Sequence, residues 1–246
     1  MKIFTLVTVS ILAALYSLSC TQKKLQIKLI PRNTHAAVTP EPRYDQWWTT
    51  RHNGILERVK KGNVDMIMVG DSITQGWEND GKEVWEKSYS KCNALNLGFG
   101  GDSTQHVLWR LSNGEIDGIS PKLAIVLVGT NNVSDSSKET SEGIIAVVQK
   151  LRQALPKTKI LLLAIFPHTE MPENPRRAKN AQASELASVV ADNKWVYYLD
   201  INKAFLDANG VLSKDVMPDF LHPNANGYNI WAQAMKSKLN QFINCN

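Results

Sequence analysis

Cysteine and histidine are scarce in this chain of 246 residues, with three of the first and five of the second, and neither type clusters. No C-x-x-C, H-E-x-x-H or paired-histidine spacing occurs, so no metal site is expected and no cofactor is called for. His35, His52 and His106 stand isolated, and surface or core roles are expected for them. Cys92 and Cys245 could pair in an oxidising compartment, but two distant thiols make no disulfide framework. Cys92 precedes an apolar stretch and is expected to be a small buried hydrophobe. With 14 glycines, 10 prolines and 43% hydrophobic residues, the composition excludes a collagen, a coiled coil and a wholly disordered protein. One domain with a sizeable core is expected.

Surplus charge is also missing from the part of the chain that folds. Lys2 and the segment 21–43, where Lys23, Lys24, Lys28, Arg32 and Arg43 face Glu41 alone, account for the whole net charge of +5. Residues 44–246 are therefore neutral. A nucleic-acid partner is not expected, because neutralising phosphates takes an excess of Lys and Arg on one face.

Long apolar runs are absent after residue 18. Before it, Lys2 is followed by the uncharged, mostly apolar residues 3–18 and then Ser19-Cys20, which resembles a secretory signal over residues 1–20. A cysteine at that place resembles the bacterial lipoprotein signal, in which Cys20 becomes the lipidated N-terminus. Ser17 and Leu18 depart from the usual residues there, and an ordinary cleaved signal or a short uncleaved anchor are the alternatives. The run is marginal for a span of ~20 residues. The domain is thus expected to be exported, facing the periplasm or the cell exterior, with a membrane link only through an N-terminal lipid. Residues 21–43 are polar and basic and contain Pro31, Pro40 and Pro42, which reads as a flexible tether. The domain is expected over 44–246.

Five short apolar runs punctuate that domain, at residues 64–69, 94–97, 123–128, 160–165 and 195–199. Most are continuous rather than alternating, as buried parallel strands are. Between them lies helical periodicity: Ile144, Val148, Leu151 and Leu155 in one stretch, and Tyr228, Trp231, Met235, Leu239 and Phe242 in another. Strands alternating with helices predict an α/β fold with a five-stranded parallel sheet between two helical layers. Chemistry in such sheets sits beyond the carboxyl ends of the strands.

Four segments follow predicted strand ends or the last loop. Gly70-Asp71-Ser72 places a serine in a tight strand-to-helix turn, where its hydroxyl projects and its N–H can face a developing oxyanion. Gly98-Phe99-Gly100-Gly101-Asp102 allows close backbone approach and leaves peptide N–H groups available as donors. Gly129-Thr130-Asn131 offers a neutral side-chain donor. Asp219-Phe220-Leu221-His222 sets an acid three residues before an imidazole, which can fix its tautomer. Each alone is ordinary turn or capping chemistry. Together they supply a nucleophile, a base, an orienting acid and oxyanion donors at one edge.

These blocks resemble the SGNH, or GDSL, hydrolase superfamily, within it the platelet-activating-factor acetylhydrolase catalytic-subunit branch. The match is carried by GDSITQGW, NLGFGGDSTQHVLWRLSNGEID, VGTNN and DFLHPNANGY, and covers about residues 44–243. The resemblance implies a flavodoxin-like three-layer α/β/α sandwich. It assigns Ser72 as nucleophile, Asp219 and His222 as its partners, and the Ser72 N–H, Gly101 N–H and Asn131 amide as the oxyanion hole. Gly101 rather than Gly100 is taken because the family's donor directly precedes the Asp, here Asp102. Members of the branch handle short acyl groups, and some dimerise, although no patch in this sequence marks an interface.

The expected activity is therefore acetyl-ester hydrolysis. For an exported bacterial chain, the expected substrate is a small acetylated glycan. A phospholipid acetylhydrolase or short-chain lipase is the alternative, with a non-catalytic surface binding module behind both. Animal members carry Pro-Arg after the fourth strand where this chain has Pro167-His168, and they lack an export signal. His168 could line the leaving-group side or stand exposed in its loop. Ile73, Leu221 and Trp77 are candidate substrate contacts, and Trp47 and Trp48 could add a stacking surface or seal the core.

Overall fold

The structure, a computed structural model, describes residues 35–245. Cys20, the expected leader and the first part of the expected tether lie outside the described residues. From the N-terminal side the elements run α1 (Gln46–Lys60), β1 (Met66–Gly70), α2 (Ser72–Gln75), α3 (Lys82–Tyr89), β2 (Ala94–Gly98), α4 (Thr104–Ser112) and β3 (Leu123–Leu127). Then follow α5 (Ser137–Ala154), β4 (Lys159–Leu163), α6 (Pro175–Ser188), β5 (Val196–Leu199) and α7 (Ala225–Leu239).

All neighbouring strands pair in parallel, in the order β2-β1-β3-β4-β5. That is the flavodoxin-like doubly wound order, whose switch point lies between β1 and β3. The runs are apolar throughout because each face of the sheet has its own core. Ile67, Val69, Ala124, Val126, Ile160 and Leu162 pack with α1, α4, α5 and α6. The alternate residues Met66, Met68, Leu123, Ile125, Leu161 and Leu163 pack with α3 and α7. The strand period of two thus divides one continuous run between two helical layers. Each fully buried aliphatic side chain contributes about 1.5–3 kcal/mol.

Local signals fix the helix starts. Ser136 and Glu139 form a reciprocal capping box on α5. Asn174 caps α6, which has Pro175 in its first turn. Asn224 accepts from the Gly227 N–H at 3.0 Å to open α7 directly after His222. Among the described residues, no helix is long and apolar enough to cross a membrane.

Two expectations are corrected. The expected tether extends too far, because residues 35–43 are docked on the domain. His35 pairs with Glu142 at 2.7 Å, Thr104 Oγ1 donates to the Ala37 carbonyl at 2.8 Å, and the Glu41 N–H donates to the Gln105 carbonyl at 3.2 Å. The Ala37 side chain is fully buried. Polar composition concealed this docking because it is made by polar side chains and backbone groups meeting distant partners, with Ala37 as its small apolar anchor. Secondly, Cys92 and Cys245 are joined in a disulfide across 153 residues, with their Cα atoms 4.8 Å apart. Sequence distance says nothing against such a bond once α3 and α7 pack side by side. Cys92 is buried as well. A cross-link closing so long a loop typically stabilises by about 2–4 kcal/mol, through the entropy it removes from the unfolded chain.

Candidate active site

The carboxyl ends of β1, β2 and β3 lie side by side, with Gly70 in register with both Gly98 and Leu127. Ser72, Gly101 and Asn131 follow those three ends within a few residues, so the sheet register itself brings their loops together. Gly98 makes the approach close. A Cβ there would fall 2.2 Å from the Gln75 N, inside the first turn after the serine.

At the serine the geometry is that of a hydrogen-bonded relay. Ser72 Oγ lies 2.8 Å from His222 Nε2, and His222 Nδ1 lies 2.6 Å from Asp219 Oδ2. Asp219 Oδ1 also accepts from the Leu221 and His222 N–H groups at 3.0 and 2.7 Å. Partial burial pushes the Asp219 carboxyl up. The hydrogen bonds from His222 and Leu221 and the imidazole charge outweigh it and hold the carboxyl below its usual range. An ionised carboxylate only accepts, so Nδ1 carries the proton and Nε2 is the acceptor facing the serine hydroxyl.

The loop bearing this pair is built on backbone constraint. Phe220 adopts φ 58° between Asp219 and Leu221, and Thr169 adopts φ 74° on the facing loop. The Thr169 N–H donates to the Phe220 carbonyl at 2.9 Å. Such left-handed residues cost roughly 1–3 kcal/mol each and persist where surrounding contacts enforce them. Here they turn the chain so that Asp219 meets both the backbone and the ring of His222.

The proposed donors are also grouped. Ser72 is the first residue of α2, so its N–H has no partner within the helix. The Gly100 N–H is engaged by Gln75 Oε1 at 2.7 Å, whereas no hydrogen bond among the described residues uses the Gly101 N–H. Gly101 sits at φ 75°, which glycine alone adopts without strain. Asn131 Nδ2 donates to the Asp102 carbonyl at 3.0 Å, pinning the amide to the same loop. A polar group held beside Ser72 would thus meet a hydroxyl hydrogen-bonded to an imidazole, with neutral donors on the same edge. Among the described residues no group of three or more His, Cys, Asp or Glu side chains could hold a metal.

Behind this edge lies a buried ionic network that the sequence reading missed. Arg110, with no exposed side-chain surface, donates to Asp102 Oδ2 at 2.8 Å and to Glu115 Oε2 at 2.5 Å. It also reaches the Leu97 and Gly70 carbonyls, both at 3.2 Å, and lies over the Phe99 ring. Trp48 Nε1 donates to Asp102 Oδ1 at 2.9 Å, and His52 Nδ1 meets Glu115 Oε1 at 2.9 Å. The signal was an arginine set into the apolar stripe of α4, three residues after Val107 and directly before Leu111.

Several candidates are placed elsewhere than expected. Trp77 and Ile73 are each 1% exposed. Trp77 packs against Trp85, Tyr89, Tyr228 and Trp231, so it is a core residue, as is Ile73 beneath the serine turn. Neither offers a surface to a substrate. Leu221 is half-buried at the edge of the same core. Trp48 is buried, whereas Trp47 is 43% exposed. His168 is half-buried rather than exposed. Burial and the neighbouring Arg176 lower its tendency to protonate, and Asp219 and His222 are close enough to act on it. A cavity of about 440 Å³ between α3 and α7, lined by Glu83, Lys87 and Lys236 among others, shares no residue with this site.

Asp71, next to the serine, carries a pH signature. Complete burial, with a smaller push from Asp102, raises its pKa to about 7, against the Ile73 N–H bond and the Arg110 charge that lower it. Between pH ~4 and ~7 the folded state then holds a proton that the unfolded chain has released, so this group makes stability fall as pH rises through that window. Asp71→Asn keeps an oxygen for the Ile73 N–H and removes the titration. In urea unfolding, the variant should gain stability relative to the parent between pH 5 and pH 8. An equal difference at both pH values would refute the assignment.

Comparison with known proteins bears on this geometry. Residues 68–230 match the model of the GDSL-like Lipase/Acylhydrolase family. The chain is 40% identical over 185 residues to the rat (Rattus norvegicus) platelet-activating factor acetylhydrolase IB subunit alpha2, covering 75% of this chain and 80% of that protein. Among solved structures, a Streptococcus pneumoniae protein described as a platelet activating factor candidate superposes with TM-score 0.65 at 20% identity, over 78% of this chain and 94% of that one. A catalytic mutant of an acetylxylan esterase from Geobacillus stearothermophilus gives TM-score 0.58 at 17% identity, over 72% and 94%. At those identities the two structures show a shared fold.

Proposed function

The chain belongs to the GDSL-like lipase/acylhydrolase family, and from that premise we propose that it is a serine esterase removing acetyl and other short acyl groups, with O-acetylated carbohydrate as its substrate. The observation that carries the reaction type is the Ser72–His222–Asp219 relay, with hydrogen bonds of 2.8 and 2.6 Å. In the proposed cycle His222 Nε2 takes the Ser72 proton as Oγ forms a bond to the ester carbonyl carbon. The oxygen's negative charge is met by the Ser72 and Gly101 N–H groups and the Asn131 amide, each such donor contributing about 100- to 1,000-fold to turnover. Collapse breaks the bond to the alcohol, which leaves with the proton from His222. Water then repeats the sequence on the acyl-enzyme, releasing the acid and restoring Ser72.

The fold shared with an acetylxylan esterase supports a glycan substrate, as does the exposed Trp47 indole on this side of the domain. We further propose that the chain works outside the cytoplasm, anchored by a lipid on Cys20. The Cys92–Cys245 disulfide supports an oxidising compartment. A second reading, an acetylated glycerophospholipid, draws on the rat relative's name.

One panel decides between them. The purified protein is assayed on p-nitrophenyl esters of increasing chain length, on acetylated xylo-oligosaccharides and on an acetyl-glycerophosphocholine. We expect rates to fall beyond short acyl chains and the sugar acetates to give the higher kcat/KM. Preference for the phospholipid would reverse the substrate assignment, and activity on none would remove the esterase reading.

A further inference from the structure

The wall of the site on the side of the Gly98–Gly100 backbone is formed by the start of α1, where Trp47 lies. Trp47 is one of the few large apolar side chains left in solvent, and it is not an isolated surface aromatic. A Cβ at Gly100 would lie 3.9 Å from Trp47 Cη2 and 4.0 Å from the Ser72 Cβ. Gly100, with Gln75 Oε1 3.2 Å from the same point, therefore lies between the indole and the serine. That glycine belongs to the loop carrying the proposed oxyanion donor.

The indole is also held in place. The Arg43 guanidinium lies over its ring, 5.3 Å from the centroid. Arg43 is anchored in turn to the Gly100 carbonyl at 2.6 Å and to Asp45 at 2.9 Å, with Asp102 3.6 Å away. Two carboxylates offset the guanidinium charge, so the group serves as a buttress rather than as an open anion receptor. Trp47 and Arg51 are four residues apart on α1 and share a face. Arg51 holds the Gly98 carbonyl at 2.9 Å and pairs in a fork with Glu78, whose side chain is part-exposed. An apolar ring face flanked by a planar, polar ion pair is the chemistry that receives a pyranose: the sugar's C–H face covers the indole while its hydroxyls meet charged hydrogen-bonding groups.

We propose that Trp47, buttressed by Arg43 and flanked by the Arg51–Glu78 pair, is the subsite for the sugar ring that bears the scissile acetyl group. This rests on the carbohydrate-ester reading above and adds the place where the alcohol portion binds. The ring bridges the gap over Gly100, which puts an acetyl on one of its hydroxyls against Ser72. Recognition is then of a neutral saccharide, whose charge need not match any free cation in the wall.

The test compares the parent, Trp47→Ala and Trp47→Phe on acetylated xylo-oligosaccharides and on ethyl acetate, whose leaving group is too small to reach the indole. Trp47→Ala should raise KM for the sugar ester at least about tenfold with kcat little changed, leave ethyl acetate hydrolysis as in the parent, and be partly restored by Trp47→Phe. An unchanged KM for the sugar ester would overturn the subsite and leave the carbohydrate reading standing. Equal loss on both substrates would overturn it too, by making Trp47 a structural support of the loop. If the parent hydrolyses ethyl acetate but not the sugar esters, the carbohydrate reading falls and the subsite with it.

Discussion

Ser72→Ala should lower kcat on p-nitrophenyl acetate by about 10⁴- to 10⁶-fold while leaving the protein folded, because in the proposed cycle the substitution removes the one atom that forms the bond to the acyl carbon. The hydroxyl's partner is His222 Nε2, at 2.8 Å. The serine occupies the first position of a short helix, where alanine is accommodated, and its side chain carries no other hydrogen bond among the described residues. A stability change within about 0.5 kcal/mol is therefore expected. His222→Ala should be as damaging, whereas Asp219→Asn leaves the imidazole present but in the wrong tautomer, with a loss on the order of 10⁴-fold. Residual activity in Ser72→Ala should be insensitive to adding His222→Ala, since the pair acts as a unit. A Ser72→Ala protein retaining even a tenth of the parent rate would show that another group attacks the ester.

How much of this was legible in the sequence depended on whether a feature is local. Strand positions could be read because burial on both faces leaves a continuous apolar run, as residues 123–127 show. The segments at the strand ends could be read because a serine, a glycine loop and an asparagine each follow a run by a few residues, and parallel register does the rest. Features made by distant groups were not fixed by local pattern: the Ser72–His222 pairing came only through the family resemblance, and the Cys92–Cys245 bond stood only as a possibility. The disulfide joins Cys92 to a residue 153 positions away, and the docking of residues 35–43 joins His35 to Glu142, 107 positions on, and uses the Ala37 and Gly100 carbonyls, which carry no side-chain signal. Trp77 and Trp47 are the same residue type near the same edge. Only packing separates the one sealed among Trp85, Tyr89, Tyr228 and Trp231 from the one left against Gly100 and solvent.

The same non-local logic makes Arg110 a costly side chain to remove from the interior. It is fully buried, and four groups depend on it: Asp102 at 2.8 Å, Glu115 at 2.5 Å, and the carbonyls of Leu97 and Gly70. Arg110→Ala should destabilise the protein by about 3–5 kcal/mol in urea unfolding, because two buried carboxylates lose the guanidinium that pairs both, Asp102 keeping only the Arg43 guanidinium 3.6 Å away. Arg110→Lys should recover little, since one ammonium cannot reproduce a planar fork reaching two acids and two carbonyls. Neutralising the stranded acids should recover more: Asp102→Asn with Glu115→Gln, added to Arg110→Met, removes the uncompensated charge that dominates the loss. Activity should fall alongside stability for a geometric reason. Gly70 ends the strand that launches the serine turn, Leu97 is the penultimate residue of the strand that launches the glycine loop, and the Asp102 carbonyl receives the Asn131 amide at 3.0 Å. In the partly recovered triple variant, kcat should therefore remain depressed, because the charge is gone but the clamp on the two carbonyls is not restored. A triple variant with full activity would show that the network stabilises the fold without positioning the site, and an Arg110→Ala loss below about 1 kcal/mol would contradict the account of buried charge itself.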